Sequence, residues 1–590
     1  MKLVDPKDFS KAIKLKGKGG IRTSKFLMNV LRIRKINKVY SQIYNLPKDQ
    51  FFEALTKFLR INYEVSEEDL KKIPKEGAFI TISNHPYGGL DGILLIKILS
   101  EIRPDFKVMA NFLLQNIKPM ENFYFSVNQF ETQASYTGIK LAINHMQEGK
   151  PLGIFPAGEV SAYTSDTSII TDRQWQNSAI RLIKKAQVPV IPIYFKGTNS
   201  RFFHILGLIH PVLQTAKLPS ELLNKKRKII KIKIGNPISV KDQEGISDLA
   251  RYGRFLRAKT YALGTSLEVK KFFRKGMLHL KKEEQIIDSI PQEILVKEIK
   301  GLPKTDFLLK QKNFEVYCSP SENIPNILTE IGRLREVTFR EMGEGTNRSM
   351  DIDEFDLYYY QLFIWDTNLQ QIVGAYRVGK GKEIMAKYGQ KGFYAESLFK
   401  IKKQFNPVLT ESIELGRSFI VKGYQKQIIP LFLLWKGILY LLLKNQEYRY
   451  LFGPVSISNI FSKFSKGIII QFIKANYFDY NFAAYITPRK KFRVKADIEV
   501  DTDIFIESSK DDFGKLDKII EDIEPNNLKL PILLKKYLKL NAKIIGFNID
   551  PKFNNALDGL IILDLFEVPM QTIESLSKEI DDSSILERFN

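Results

Sequence analysis

The chain has 590 residues, with 90 Lys plus Arg against 66 Asp plus Glu, a formal charge of +24. That length exceeds what one hydrophobic core serves, and 44% hydrophobic with 12% aromatic residues excludes global disorder. One cysteine, Cys318, excludes an intramolecular disulfide framework and a cysteine-based metal cluster. The five histidines (His85, His145, His204, His210, His279) lack HExxH-type spacing, so no metal site is expected. A positive charge of this size points to nucleic acid, an anionic membrane or an acidic protein as partner.

From Phe9 to Lys48 there are eleven basic residues and no acid. Within that stretch Phe26, Leu27, Val30, Leu31, Ile33, Ile36, Tyr40 and Ile43 recur at three- and four-residue steps. Arg32, Arg34, Lys35 and Lys38 fall between them, the pattern of a basic amphipathic helix. Residues 1–58 are therefore set apart as a basic helical segment. Two arrangements satisfy the pattern: a helix lying in the headgroup region of an anionic bilayer, or one packed on the following domain with a solvated basic face. A nucleic-acid partner is not expected, because the aromatics of the basic run fall on its apolar face and no nucleic-acid motif occurs. The most apolar run, Ile428 to Leu443, contains Pro430, Lys436 and Gly437. It falls short of the roughly 20 apolar residues a membrane span needs, and is expected to be a buried helix.

Between Gly77 and Gly235 short apolar runs alternate with helical patterns. Ala78–Ile82, Lys107–Ala110, Pro151–Phe155 and Val188–Phe195 are expected as strands, and Gly92–Leu99, Tyr136–Gln147 and Trp175–Lys185 as helices. The charged segment Lys270–Lys312 is broken by Gly301-Leu302-Pro303, which places domains at 59–300 and 301–590. From Phe314 a second alternation begins, with strands expected at Tyr360–Trp365, Gln371–Val378, Glu411–Val421 and Tyr450–Phe452. The expected fold class is α/β: two α/β domains behind an N-terminal basic amphipathic helix.

The first strand ends in Ser83-Asn84-His85-Pro86-Tyr87-Gly88-Gly89-Leu90-Asp91-Gly92. A histidine at a strand's exit with an aspartate before a helix can form a base and its orienting carboxylate. It can equally be a turn in which Asp91 only caps the helix. A second strand ends in Leu152-Gly153-Ile154-Phe155-Pro156-Ala157-Gly158-Glu159-Val160-Ser161, and a third run is Val188-Pro189-Val190-Ile191-Pro192-Ile193-Tyr194-Phe195-Lys196-Gly197.

These three blocks, in order, resemble the glycerolipid acyltransferases of the lysophosphatidate acyltransferase type, with their NHxxxxD, FPEGTRS and VPxxPV motifs. The resemblance covers roughly Leu59 to Ile238. It implies that His85 deprotonates an acceptor hydroxyl that attacks an acyl thioester, that Asp91 orients the imidazole, and that Gly158, Glu159 and Ser161 bind substrate. The departures are informative. Five residues, not four, separate His85 from Asp91, and Ala157, Glu159 and Val160 stand at the family's Glu, Thr and Arg. Asn128 stands where the family usually has an arginine that helps hold the acceptor's phosphate. Arginine suits bidentate phosphate recognition, so its absence from both places points to an acceptor hydroxyl without a phosphomonoester. Arg173 and Lys196 remain as cations able to serve there.

In the second half the blocks are Arg333–Arg340, Asp351-Ile352-Asp353-Glu354-Phe355-Asp356, Ile372–Val378 and Glu414-Leu415-Gly416-Arg417-Ser418-Phe419-Ile420-Val421, with later ones at Leu451–Ser458 and Leu530–Leu538. Their order resembles the ornithine-lipid N-acyltransferases and, more distantly, the acyl-homoserine lactone synthases, from about Phe314 to Leu565. Both are GNAT-like folds that move an acyl chain from acyl carrier protein to an amine. The resemblance implies Glu414 as base, Asp353 and Asp356 as ligands of the amine, and Arg377 and Arg417 as ligands of the acceptor's carboxylate or of phosphopantetheine. Lys422-Gly423-Tyr424-Gln425-Lys426 replaces the Gly-rich pyrophosphate loop of acetyl-CoA users, which fits a carrier-protein donor. Helix Ile428–Leu443 could wall an acyl pocket or simply fill the core.

The pairing of halves resembles the fused bifunctional aminolipid (ornithine or glycine lipid) synthases. It implies N-acylation of an amino acid with a 3-hydroxyacyl chain by the C-terminal half, then O-acylation of that hydroxyl by the N-terminal half. No cofactor is expected beyond acyl-carrier-protein or acyl-CoA donor substrates. The expected partners are acyl carrier protein, an anionic membrane surface and a small amino-acid acceptor, at the cytoplasmic face of the inner membrane without a transmembrane helix. Two other readings stay open: a lysophospholipid acyltransferase with a non-catalytic GNAT-like module, and a membrane-active, haemolysin-like protein.

Overall fold

The computed structural model describes residues 6, 17–30, 32–111, 117–127, 132–164, 169–209, 211–225, 229–269, 283–342, 344–493, 500–524, 528–551 and 553–589. Asn128, Leu31, His210, His279 and the basic residues Lys11, Lys14 and Lys16 lie outside the described residues. The chain divides into two compact units. One comprises Met1–Phe272, Asp497–Ser509 and Gly514–Asn527, and the other Phe273–Ala496, Lys510–Phe513 and Leu528–Asn590. The division falls before the Gly301-Leu302-Pro303 break, because helix Gln292–Lys300 puts Leu295 into a core cluster with Ile327, Ile331 and Leu334 of the second unit. The return of residues 500–509 and 514–524 to the first unit is held by charge. Arg254 pairs with Asp501 at 2.7 Å, and buried Lys259 pairs with buried Asp522.

The first unit is built on strands β1 (Asn62–Glu64), β2 (Ile80–Ser83), β3 (Lys107–Asn111), β4 (Tyr124–Val127), β5 (Leu152–Ile154), β8 (Val190–Lys196) and β9 (Ile229–Ile234), with a separate hairpin of β6 (Ala162–Thr164) and β7 (Ile169–Thr171). The seven-stranded sheet has the order β1-β9-β8-β2-β5-β3-β4, and every pairing is parallel except β8 with β9. All four residues of β2 are buried, as a central parallel strand covered on both faces requires. The following helix, Gly89–Ser100, buries Leu90, Ile93, Leu94, Leu95, Ile96, Ile98 and Leu99. Its first residue lies three before the Gly92 start expected from the apolar pattern.

The N-terminal stretch forms helices Gly17–Val30, Ile33–Ile43 and Lys48–Leu59, not one helix through Phe26–Ile43, since Arg32 sits at φ 58° between the first two. Ile36, Tyr40 and Ile43 join the domain core with Phe51, Phe52, Leu94 and Phe123. Of the two arrangements open to this pattern, packing on the following domain is the one residues 33–43 adopt. Arg34, Lys35 and Lys38 remain exposed on the outer face.

The second unit carries β10 (Phe307–Gln311), β11 (Phe314–Pro320), β12 (Tyr360–Asp366), β13 (Gln371–Lys380), β15 (Ser412–Ile420), β16 (Tyr450–Ile457), β18 (Lys543–Asp550) and β19 (Ala556–Asp564), with β14 (Phe399–Ile401) and β17 (Ile486–Pro488) as a small second sheet. The main sheet has the order β10-β11-β12-β13-β15-β16-β19-β18 and is antiparallel except between β15 and β16. That parallel pairing covers only Ser412↔Tyr450, Ile413↔Leu451 and Glu414↔Phe452. Beyond Glu414 the two strands part, which opens the sheet at that residue. Helix Ile428–Lys444 packs on this sheet, with Leu433, Leu434, Ile438, Leu439 and Leu442 at most 1% exposed. A Cβ on its Gly437 would stand 2.9 Å from Val316 Cγ1, so this face of the helix is a core wall. Among the described residues no helix is long and apolar enough to cross a membrane.

Candidate active sites

Because β2, β5 and β8 are adjacent parallel strands, their carboxyl ends deliver the three N-terminal motifs to one edge of the sheet. Asn84 pins the first. Its Nδ2 donates to the Phe195 carbonyl at 3.0 Å and its Oδ1 accepts from the Phe195 N–H at 2.8 Å, continuing the β2–β8 ladder by one rung. The next residue is His85, whose Nδ1 lies 3.0 Å from Asp91 Oδ2. The same oxygen accepts from the N–H of Tyr87 at 2.9 Å and of Gly88 at 3.0 Å. Asp91 is fully buried; desolvation raises its pKa, opposed by the hydrogen bonds from His85, Tyr87 and Gly88. One side chain therefore caps helix Gly89–Ser100 and stands 3.0 Å from the imidazole Nδ1. With Nδ1–H facing a carboxylate, Nε2 keeps its lone pair for an incoming proton.

Gly88 absorbs the additional residue between His85 and Asp91. Its φ of +81° is in the left-handed region, and a Cβ there would stand 3.0 Å from Val160 Cγ2 and 3.1 Å from Leu218 Cδ2. The histidine ring lies against Phe155, centroids 4.3 Å apart. Its backbone N–H donates to Asp172 Oδ1 at 3.1 Å, and its carbonyl accepts from the Ser161 N–H at 2.9 Å.

The second block divides. Gly158 makes the turn at φ 69°, its N–H bonded to the Phe155 carbonyl at 2.9 Å. Glu159 is 49% exposed and pairs with Arg173 at 3.5 Å. Ser161 is buried, and its Oγ donates to Asp172 Oδ1 at 2.5 Å. Through these bonds Ser161 ties the second block to the histidine turn. Arg173, one of the two cations available for a phosphate, is already paired with a carboxylate. Asp172 is the residue the sequence did not single out. It gathers His85 N–H, Ser161 Oγ and, at 3.3 Å, Trp175 Nε1, while its own N–H donates to Tyr261 Oη at 2.9 Å. A lone aspartate in a polar stretch carries no signal of that role.

In the second unit Glu414 stands where β15 and β16 separate. It is 1% exposed. Its Oε1 accepts from Ala395 N–H at 2.7 Å, and Oε2 from Tyr394 N–H at 3.0 Å and from the Tyr359 hydroxyl. Burial raises the Glu414 pKa, against the lowering effect of these donors. Two residues along, the register of β13 against β15 shifts between Ala375 and Arg377, and Arg417 adopts φ 52°, a bulge that re-aims the strand.

Around it lies a buried network of three arginines and three aspartates. Arg377 Nη1 donates to Asp353 Oδ1 at 2.5 Å and Asp356 Oδ2 at 3.4 Å. Arg417 reaches Asp351 Oδ2 at 3.1 Å and Asp353 Oδ2 at 3.1 Å, and Arg335 reaches Asp356 Oδ1 at 2.8 Å. Asp353 thus bridges the two arginines expected to bind acceptor or donor. Asp356 is 0% exposed, and beyond its burial the neighbouring Arg335 and Arg377 hold its carboxyl far below the usual carboxylate range. It fixes Arg335, Arg377 and the Asp353 backbone N–H (3.0 Å) in place. Arg377 is ringed by Phe355, Tyr359 and Tyr394 at 5.4, 5.3 and 5.0 Å, and its Nε and Nη2 lack a hydrogen-bond partner among the described residues. Gln361 completes the network, donating to Asp356 Oδ1 at 3.2 Å.

Two domains of distinct chemistry are thus in hand, and comparison with known proteins gives them their class. Residues 9–270 match the family described as Acyltransferase, and residues 334–435 that described as Acetyltransferase (GNAT) domain. The protein is an acyl-transferring enzyme with an acyltransferase domain in its N-terminal half and a GNAT domain in its C-terminal half. A glycine N(alpha)-acyltransferase of Phocaeicola vulgatus is 29% identical over 314 residues, 50% of this chain and 94% of that protein. A lyso-glycine lipid O-acyltransferase of Bacteroides thetaiotaomicron is 26% identical over 245 residues, 40% of this chain and 88% of that protein. Among solved structures, the 1-acyl-sn-glycerophosphate (LPA) acyltransferase PlsC of Thermotoga maritima is similar at 16% identity and a TM-score of 0.24, covering 46% of this chain and 88% of that one.

Proposed function

We propose that this protein makes a phosphate-free aminolipid in two steps, with glycine as the amino acid that best fits its relatives. The observation that supports this is the fusion itself. One chain carries the counterparts of two separate proteins, one named for N-acylation of glycine and one for O-acylation of its lyso-lipid product.

In the first step the α-amine attacks the thioester carbonyl of a 3-hydroxyacyl chain carried on acyl carrier protein. The N–C bond forms, the C–S bond breaks, and the carrier's thiol leaves. Glu414, its basicity raised by burial, takes the amine's proton. Asp353, the most exposed of the three aspartates at 16%, meets the ammonium, and Arg377 with Arg417 holds the acceptor's carboxylate. In the second step His85 Nε2 takes the proton of the new 3-hydroxyl as its oxygen attacks a second acyl thioester, then returns it to the departing thiolate. Asp91 holds the imidazolium in place. The pairing of Arg173 with Glu159 supports an acceptor that brings no phosphate to this site. No cofactor is used beyond the acyl donors. The enzyme works peripherally at the cytoplasmic face of the inner membrane, its basic surface meeting acyl carrier protein, a strongly acidic partner, and anionic lipid.

Expression in a host that makes no aminolipid, followed by mass spectrometry of total lipid, tests the proposal. A new phosphorus-free lipid with one amide-linked and one ester-linked chain is expected. An unchanged lipid profile rejects it, and a new phospholipid species instead favours a lysophospholipid acyltransferase.

A further inference from the structure

After β8 the chain forms two helices, Arg201–Ile209 and Pro211–Glu221, that pack on one another. The first buries Phe203 and His204 but exposes Phe202, Ile205 and Leu208, at 56, 51 and 63%, on one face at three-residue steps. Aromatic and branched side chains in that array form an apolar ridge, which a water-facing surface does not retain without a use. Its surroundings are cationic. Among the described residues of this region Arg201 is exposed, and Lys217 lies over the Phe202 ring at 5.8 Å; the nearest acid in sequence is Glu221. That acid is buried, 3.6 Å from both Lys217 and Lys225. Helix Pro211–Glu221 packs against helix Ile33–Ile43, which exposes Arg34, Lys35 and Lys38 in a run that has no acid between Phe9 and Lys48. The same pair of helices walls the histidine turn. Leu218 closes over Gly88, and Lys225 lies over the Tyr87 ring at 4.6 Å.

We propose that the helical pair Arg201–Glu221 docks the enzyme on an anionic bilayer. Phe202, Ile205 and Leu208 sink to the level of the upper acyl chains, and the flanking cations meet the headgroups. The proposal adds a later element to the membrane contact expected of the N-terminal segment, in which Ile33, Ile36, Tyr40 and Ile43 are buried and Phe26 is 67% exposed. The ridge is small, Lys217 lies over its Phe202 ring and Arg201 is exposed beside it, with Arg34, Lys35 and Lys38 exposed on the helix packed against Pro211–Glu221; an apolar strip flanked by cations is what an anionic lipid surface binds. This rests on the lipid acceptor of the proposed function: an acceptor leaving the bilayer at the ridge meets the wall of the turn that holds His85.

Flotation of the full chain with phosphatidylcholine vesicles, with and without phosphatidylglycerol, tests it. Wild type is expected to float with the phosphatidylglycerol vesicles and to be released by salt. Phe202→Ser, Ile205→Ser and Leu208→Ser combined weaken that partition by about tenfold or more. The substitutions lie at exposed positions and leave the melting temperature unchanged. Ile205→Trp emission shifts to the blue on vesicles and is quenched by lipids brominated on the acyl chains. A triple-serine variant that floats like wild type overturns the proposal. So does a wild type that is dimeric without vesicles while the triple variant is monomeric, because the ridge is then a contact between two copies. Ester formation on lyso-aminolipid in detergent micelles separates this from the functional proposal. The triple variant turns over at the wild-type rate there; a wild type that floats but makes no ester refutes the function and not the docking.

Discussion

His85 Nδ1 lies 3.0 Å from Asp91 Oδ2 across a turn of five intervening residues. The contact survives the longer turn because Gly88 takes a φ of +81°, which an L side chain rarely adopts and for which Val160 and Leu218 leave little room. Asp91 then serves imidazole and helix terminus from one oxygen, so geometry and local folding are locked to each other.

His85→Ala removes the proposed proton acceptor but keeps the backbone hydrogen bonds of residue 85 to Asp172 and Ser161. O-acylation of supplied lyso-lipid should fall by about 10²–10⁴-fold while the mono-acylated product of the first step accumulates. Asp91→Asn should lower the rate too, because an amide presents an N–H as readily as an oxygen to the imidazole and no longer fixes its tautomer. Quantifying mono- and diacylated lipid in parallel checks both. Full diacylation by His85→Ala would remove the histidine from the reaction.

Asp172 acts on the same histidine at second hand. Asp172→Ala deprives His85 N–H, Ser161 Oγ and Trp175 Nε1 of their acceptor at once, inside the core. A loss of about 2–4 kcal/mol in unfolding free energy is expected, from donors left buried and unpaired. Asp172→Asn keeps one acceptor and should recover part of it. A positioning role predicts reduced kcat with little change in KM for the O-acylation that Asp172→Asn retains.

The contrast between Asp91 and Asp172 shows what a sequence displays. His85 and Asp91 fall in one run of ten residues whose chemistry is local, and the turn could be read from residue types. Asp172 lies 87 residues from His85 and reaches it only once β2 and β5 are neighbours. Likewise Arg377, Arg417 and Glu414 stood out in short blocks, but the enclosure of Asp356 between Arg335 and Arg377 depends on strand register and was not legible. The basic amphipathic pattern left two arrangements open for another reason. An apolar stripe has the same period whether it meets lipid or protein, so Ile36 and Tyr40 did not announce the core they enter. The ridge of Phe202, Ile205 and Leu208 was hidden conversely, within an apolar run that shows no polar face.

Arg377→Lys keeps the charge and discards the planar fork. The ammonium cannot span Asp353 and Asp356 while leaving donors free for an acceptor carboxylate, and Arg377 is 1% exposed, so water will not make up the loss. N-acylation should drop by about tenfold to a hundredfold, with Arg377→Ala lower still and partly unfolded. O-acylation of supplied lyso-lipid by Arg377→Lys should be unchanged, as the first unit carries His85. Loss of both activities in a variant of unchanged melting temperature would count against a division of labour between the units.

Asp558 gives the second unit a pH dependence with a definite sign. It sits on β19, 2% exposed, with Ser456 Oγ of β16 donating to its Oδ1 at 2.7 Å; Asn548 of β18 stands opposite in register. Desolvation raises its pKa from 3.8 to about 8, reinforced by the charges of Asp550 and Glu344 and opposed by the Ser456 hydrogen bond and by Arg417. In the unfolded chain the same carboxyl ionises near 3.8. Between those two values the folded state holds the proton and the unfolded state does not. The contribution is therefore complete below about pH 4 and is lost progressively as pH rises toward about 8. Asp558→Asn cannot titrate and should abolish this slope, so that its stability relative to wild type improves, by on the order of a few kcal/mol, between about pH 5 and about pH 8. Denaturant unfolding of both proteins across that range is the measurement. Parallel stability curves would place the Asp558 proton outside the folding equilibrium.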